Sequence, residues 1–301
     1  MLNYKLILFS LFLLLFAGCS SAISVDDGVI RTENGTSIID AEYNAIQTKP
    51  TTDFYLEVAE QEYNKYSYLH KFGRNNDIDV DGGFETIWNG GGDYTGFPTQ
   101  SETLEIRSND IDDTFGGAGA WTVEISGLLN STFHEQPTVT INLNGTSWVT
   151  IDSNLYYRAS RIKVTSAGSP DATNEGEITL RHTTTTSNIF AVLPIGYGQT
   201  MISATTVPAN KKAFLNSWYA SIGNKIKGVS TIRLVMRDSG GVWQVKEEFS
   251  ISGEGNSYVL RQYMVPKNNI NAGTDIKIMA DSSINNLAIA AGMDFMLEST
   301  N

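Results

Sequence analysis

From residue 121 onward the chain alternates between large apolar and polar side chains. Trp121-Thr-Val123-Glu-Ile125-Ser126, Val139-Thr-Ile141-Asn-Leu143 and Ile162-Lys-Val164 each put a large apolar residue at every second position. A period of two buries one face of an extended segment and leaves the other wet, so each run predicts a strand of a half-buried sheet. The pattern returns in Thr200–Ile202, Phe214–Ala220, Ile232–Arg237, Trp243–Ile251, Tyr258–Leu260, Ile276–Ile278 and Met293–Leu297. Between the runs lie turn signals such as Ser126-Gly127, Asn144-Gly145, Gly168-Ser-Pro170 and Asn174-Glu-Gly176. Short strands spaced about 10 residues apart predict an antiparallel sandwich or barrel. The alternation of strands with long helices that a parallel α/β sheet requires is missing.

At 301 residues the chain exceeds the roughly 250 at which a single core usually stops growing. The expectation is therefore a mainly β protein with two tandem antiparallel β-sandwich, jelly-roll-like domains, at 70–182 and 190–301. The threonine run after His182 supplies the linker at 183–189. Ahead of them, residues 23–69 read as a polar tether and an N-terminal arm. In the arm, DFYLEVAEQEYNKYSYL (53–69) is a helix candidate with Phe54, Val58 and Tyr66 in a stripe, although its aromatics fit an extended arm as well.

Residues 1–22 have a different character. Leu6 to Ala17 is an almost unbroken apolar run behind Lys5. It is shorter than the ~20 residues that span a bilayer and matches the 7 to 15 of a signal-peptide core. The segment is a secretion signal or, with Met1–Tyr4 included and Lys5 snorkelling, a membrane anchor. Phe16-Ala17-Gly18-Cys19-Ser20 resembles a bacterial lipobox, which makes Cys19 a lipidation site; Phe16 stands where that pattern prefers leucine. Cys19 is the sole cysteine, so the chain holds no intrachain disulfide.

Charge narrows the function classes. With 21 Lys and Arg against 33 Asp and Glu, the net charge is -12, which argues against a nucleic-acid surface, because such surfaces release counterions through clustered Lys and Arg. Asp77-Ile-Asp79-Val-Asp81-Gly82 matches the first six positions of an EF-hand loop, but Trp88 occupies the twelfth, where a bidentate glutamate belongs. Two readings of Asp77, Asp79 and Asp81 remain: a looser Ca²⁺ site, with Glu85, or a solvated turn leading into the first sheet. His70, His134 and His182 lie far apart, and neither a G-x-S-x-G elbow nor a phosphate-binding glycine loop is present. Asp110, Asp112 and Asp113 form a carboxylate cluster of the kind glycosidases use, or an acidic turn before Gly116–Gly119. No catalytic or cofactor-binding residue is assigned, and the chain is read as a non-enzyme.

A set of motifs in fixed order carries a resemblance. Tyr55-Leu-Glu-Val-Ala59, His70-Lys-Phe-Gly-Arg-Asn75, Gly83-Phe-Glu-Thr-Ile-Trp88, Gly91-Gly92-Asp93-Tyr94, Val207-Pro-Ala-Asn-Lys211, Trp218-Tyr-Ala-Ser221 and Gly240-Gly-Val-Trp-Gln-Val-Lys246 resemble a family of virion structural proteins of marine tailed phages and related aquatic viruses. The likeness runs from residue 54 to residue 298. It implies a β-rich, non-catalytic component of the capsid or tail surface that assembles with other virion proteins and with copies of itself, a trimer being expected. Tyr63, Tyr66, Tyr68, Phe72 and Trp88 are the expected assembly contacts of the arm, with Trp88 plugging the edge of the first sheet. Proteins of that family begin near the counterpart of Tyr55, so the leader is an addition that routes the product to a membrane. That leaves a second reading, a bacterial surface lipoprotein binding glycans or other polymers as an adhesin at the cell envelope.

Overall fold

The computed structural model describes residues 24–26, 29–31, 39–40, 45–46, 54–60, 64–129, 131–135, 137–223, 227–253 and 258–300. The leader, Cys19 and Tyr63 lie outside the described residues. The chain forms two units, Met1–Glu60 and Gln61–Asn301. In the first, β1 (Ser24–Asp26) pairs antiparallel with β2 (Val29–Arg31), and β3 (Ile39–Asp40) with β4 (Ala45–Ile46). Helix α1 covers Phe54–Ala59.

The second unit is mainly β and antiparallel throughout. Its strands are β5 (Tyr66–Ile78), β6 (Glu85–Thr86), β7 (Glu102–Ser108), β8 (Ala120–Leu129), β9 (Val139–Asn142), β10 (Val149–Ala167), β11 (Ile178–His182), β12 (Ile189–Leu193), β13 (Ala204–Thr206), β14 (Lys211–Ile222), β15 (Val229–Arg237), β16 (Gln244–Ser252), β17 (Tyr258–Ile270), β18 (Asp275–Ser282) and β19 (Leu287–Ser299). One sheet runs β17-β14-β19-β5 and a second β13-β18-β15-β16, with β6 also pairing to β18. Their inward faces meet over Trp218, Phe295, Leu234, Ile278 and Ile289, all buried in one cluster, which makes a sandwich.

The third sheet runs β12-β11-β7-β10-β8-β9 and encloses a separate core around Leu104, Ile106, Val123, Ile125, Ile162 and Phe190. Strand β10 makes it roll. Its first half pairs with β7 and its second half with β8. Where β7 has left, the edge of β10 is taken by the segment after β12: Val164 donates its amide to Gly198 O at 2.8 Å, and Thr200 donates to Ile162 O at 3.0 Å. The sheet thus curls back on its own longest strand.

Most of the strands expected from period-two runs are present, but the domain boundaries differ. Residues 183–188 are no linker. They form the turn of the β11–β12 hairpin, closed by His182 N to Asn188 O at 3.0 Å and by Thr185 N to His182 Nδ1 at 2.6 Å, and both strands belong to the rolled sheet. The sandwich takes its strands from both sides of the rolled sheet, β5 and β6 before it and β13 to β19 after it, so the two β units are nested and not in tandem.

The arm differs for the same reason. Tyr66, Tyr68 and Phe72 sit in β5, a sheet strand paired with β19 along its length. Strand β5 is hard to read in the sequence because the alternate positions it buries include Lys71, Gly73 and Asn75, none of them a large apolar residue. Those residues face a seam where the backbone just after β6 and just before β13 comes close. A Cβ on Gly73 would lie 2.0 Å from Ile87 O and 2.4 Å from Ser203 N, so only glycine fits.

Candidate functional site

A cluster of buried ionisable groups lies at this seam. Arg158 on β10 reaches into the sandwich and grips Asp275 on β18, with Nε to Oδ1 at 3.0 Å and Nη2 to Oδ1 and Oδ2 at 2.9 and 3.0 Å. Both side chains are buried, 7% and 2% exposed. Arg237 donates Nε to Asp275 Oδ2 at 3.0 Å, and Thr206 donates its hydroxyl to Oδ1 at 2.5 Å. Arg158 Nη1 donates to Pro98 O and Tyr157 O. Every oxygen of the carboxylate is thereby engaged, the condition under which a buried ion pair is tolerated.

Aromatic rings enclose the cations. The Arg158 guanidinium lies 4.3 Å from the Tyr157 ring centroid and 5.2 Å from that of Phe97, and Arg237 lies 4.6 Å from Trp243. Lys277, buried two residues beyond Asp275, contacts Asp93 and sits 4.7 Å over Trp243. Burial lowers the Lys277 pKa, and Asp93 works against that shift. Tyr94 donates its hydroxyl to Phe190 O at 2.9 Å, and burial raises its pKa.

On β5, Lys71 is 3% exposed and donates Nζ to Ser160 O on β10 at 2.6 Å. Burial first, and the nearby Arg161 second, push its pKa down to about 7. Next to it, Arg161 donates to His70 O at 3.2 Å. Around the seam lies a cleft of about 370 Å³ lined in part by Tyr94, Phe97, Arg158 and Leu297. Asp275 is saturated by donors, so its chemistry here is cohesion: it ties β10 of the rolled sheet to β18 of the sandwich.

The residues singled out in the sequence are dispersed over this frame. Asp77, Asp79 and Asp81 do not converge; among the described residues no three His, Cys, Asp or Glu side chains are placed to hold a metal. Asp79 Oδ1 instead accepts the Asn286 amide at 2.9 Å, and Glu85 is spent on Asn75 Nδ2 and the Gly92 amide at 3.0 and 2.9 Å. The stretch ends β5 with Asp77 and Ile78 and then turns toward β6, with Asp77 and Asp81 exposed. Trp88 is buried in the rolled-sheet core, edge-on to Tyr94 at 5.0 Å, and is not a plug at a sheet edge. Gly90 passes so close to the indole that a Cβ there would lie 2.2 Å from Cη2. Phe72 stacks on His70 at 5.4 Å.

Asp113, part of the acidic cluster, is fully buried and acts as a loop staple. Its carboxylate accepts the amides of Ala120, Glu175 and Gly176 at 2.7, 2.9 and 2.9 Å and the Ser108 hydroxyl at 2.5 Å. A buried carboxylate that accepts from four donors is committed to holding the loops. His70 on β5 pairs with Asp294 at 2.6 Å, and His182 on β11 pairs with Glu102. The sequence reading missed Arg158, Asp275 and Lys71, for which no local motif exists.

No protein family and no curated protein matches the chain. Among solved structures, the infectious bursal disease virus Gt strain aligns at 9% identity over 82% of this chain and 78% of that one, with a TM-score of 0.23. The Gx strain of the same virus gives 9% identity, 79% and 73% coverage and a TM-score of 0.22. Its VP2 subviral particle gives 10%, 78% and 73%, and 0.20. Likenesses at these TM-scores carry no argument about what this chain does.

Proposed function

We propose that the chain is a structural component of a virus particle, displayed on the capsid or tail surface, that works by assembly and not by catalysis. The observation that carries this reading is the Arg158–Asp275–Arg237 seam, which commits the buried charges to fusing a sandwich and a rolled sheet into one stiff block. A block that must hold neighbours in register needs that stiffness. The ordered motif set between residues 54 and 298 points the same way. Mass spectrometry of purified particles tests it: the chain is expected at a fixed copy number relative to the major shell protein, and its absence from particles while abundant in host membranes ends the reading.

A second reading, a surface lipoprotein acting as an adhesin for glycans or other polymers, draws on the apolar run Leu6–Ala17 and on Cys19. Its test is Cys19→Ser followed by membrane fractionation. Unchanged partitioning removes the lipid anchor.

A further inference from the structure

The rolled sheet presents two neighbouring patches of opposite character. At its distal end, four large apolar side chains stand in solvent: Phe115 at 80% exposure, Ile111 at 68%, Ile195 at 59% and Tyr197 at 51%. Apolar side chains gathered this way mark contact surfaces. Their loops are held stiff from beneath. Asp113 stitches loop 109–119 to Glu175 and Gly176, and buried Asn174 donates Nδ2 to Gly176 O and Pro194 O, both at 2.7 Å, while accepting the Gly198 amide at 3.1 Å. Loops 109–119, 168–177 and 194–198 contain no Lys or Arg, and Asp112, Asp171, Glu175 and Glu177 are exposed among them. The end is an apolar crown in an acidic collar.

Beside it on the outer face of the same sheet lies a cationic patch. The indole of Trp148 carries two guanidiniums, Arg181 at 3.7 Å and Arg107 at 4.4 Å from its centroid. Arg181 also pairs with Glu105 at 2.8 Å, whereas Arg107 is exposed. The two patches are contiguous. Arg107 stands two residues before the crown's first loop, and Gly145, three residues before Trp148, lies against the backbone of Ile111.

We propose that the crown docks on the Arg107–Trp148 patch of a second copy of this chain. Charge complementarity selects that occupant: an acidic collar repels a second acidic collar, and in a chain of net charge -12 the exposed Arg107 beside an aromatic face is a matching surface. Adjacent complementary patches suit a closed symmetric assembly, because each copy offers its crown to a neighbour while its own patch receives one. The inference rests on the assembly reading above and supplies its contact surface.

The test uses the full chain in mild detergent, with mass measured by sedimentation and light scattering. Wild type is expected to associate. Phe115→Ser and Arg107→Glu are each expected to raise the dissociation constant about tenfold. Arg107→Glu combined with Asp112→Lys is expected to restore association. Thermal melts matching wild type show that the variants fold, and Phe115, already in solvent, provides a variant with little folding risk. A wild type that stays monomeric, a Phe115→Ser chain that associates as before, or a charge swap that fails to restore association overturns the docking surface. Particle mass spectrometry separates the two failures: a chain present in particles but indifferent to these substitutions loses the surface and keeps the structural role.

Discussion

Arg158 and Asp275, 117 positions apart in the chain, meet through three hydrogen bonds with both side chains buried. The contact joins two sheets whose hydrophobic cores are otherwise separate. Deleting one partner strands the other's charge in a dry site. Asp275→Ala is expected to lower stability by about 3–5 kcal/mol, since Arg158 and Arg237 both lose their carboxylate. Replacing Arg158 by Met in the Asp275→Ala background should recover part of the loss. Urea midpoints of the single and double variants decide this, and a loss below about 1 kcal/mol would mean water reaches the seam.

Lys71 makes stability depend on pH with a definite sign. Its folded pKa is about 7, against 10.5 for an ordinary lysine. Below pH 7 both states carry the proton, and the folded state bears the full cost of burying an ammonium. Between pH 7 and 10.5 the unfolded chain holds a proton that the folded chain has released, so stability rises with pH across that window. Lys71→Met removes the buried charge. The variant is expected to be more stable than wild type at pH 6, by up to roughly 4 kcal/mol if the lysine stays buried, and to lose most of that advantage by pH 9. Denaturation at pH 6, 7.5 and 9 reads the gap; an advantage constant with pH would show that the shift is absent.

Gly73 tests the close approach of the sheets. Ile87 O and Ser203 N belong to backbone and cannot swing aside, so Gly73→Ala should cost about 3 kcal/mol or force the seam apart. Gly83→Ala is the control. It has a φ of 65° but nothing within 4 Å of the added carbon, so about 1 kcal/mol of backbone strain is expected. Equal losses at the two positions would show that the seam is looser than the distances imply.

Asp113 is predicted to govern local order at the distal loops. Asp113→Ala leaves three amides and a hydroxyl without their acceptor, a loss of about 2–3 kcal/mol. Hydrogen exchange should quicken first at Ala120, Glu175 and Gly176 while the Trp218 core stays protected. A uniform rise across the chain would contradict the staple role.

Period-two hydrophobicity made β8, β9, the second half of β10, and β14 to β17 legible, because one of their faces is turned to an apolar core and the other is wetter; β18 and β19 show the same alternation over Ile276–Ile278 and Met293–Leu297 although both of their faces are largely buried. It failed at β5, whose buried face is Lys71, Gly73 and Asn75, chosen for fit against backbone and not for hydrophobicity. Strand β12, Ile189–Leu193, straddles the expected end of the linker and start of the second domain, because a continuous apolar run has no period to mark it. That the acidic stretches are turns was legible only as one of two readings for each. Their division of labour was not, since nothing local distinguishes Asp113, fully buried, from exposed Asp112.

The sequence by itself determined the antiparallel β class, the turns and the absence of an intrachain disulfide, since each depends on neighbours a few positions apart or on composition alone. Tertiary structure decided the nesting of the rolled sheet within the sandwich, the meeting of Arg158 with Asp275, and the placing of Arg107 and Trp148 beside the crown. Those depend on which strand edges pair between segments far apart in the chain. Pairing at that range is settled by the summed burial of whole faces, and local pattern does not encode it.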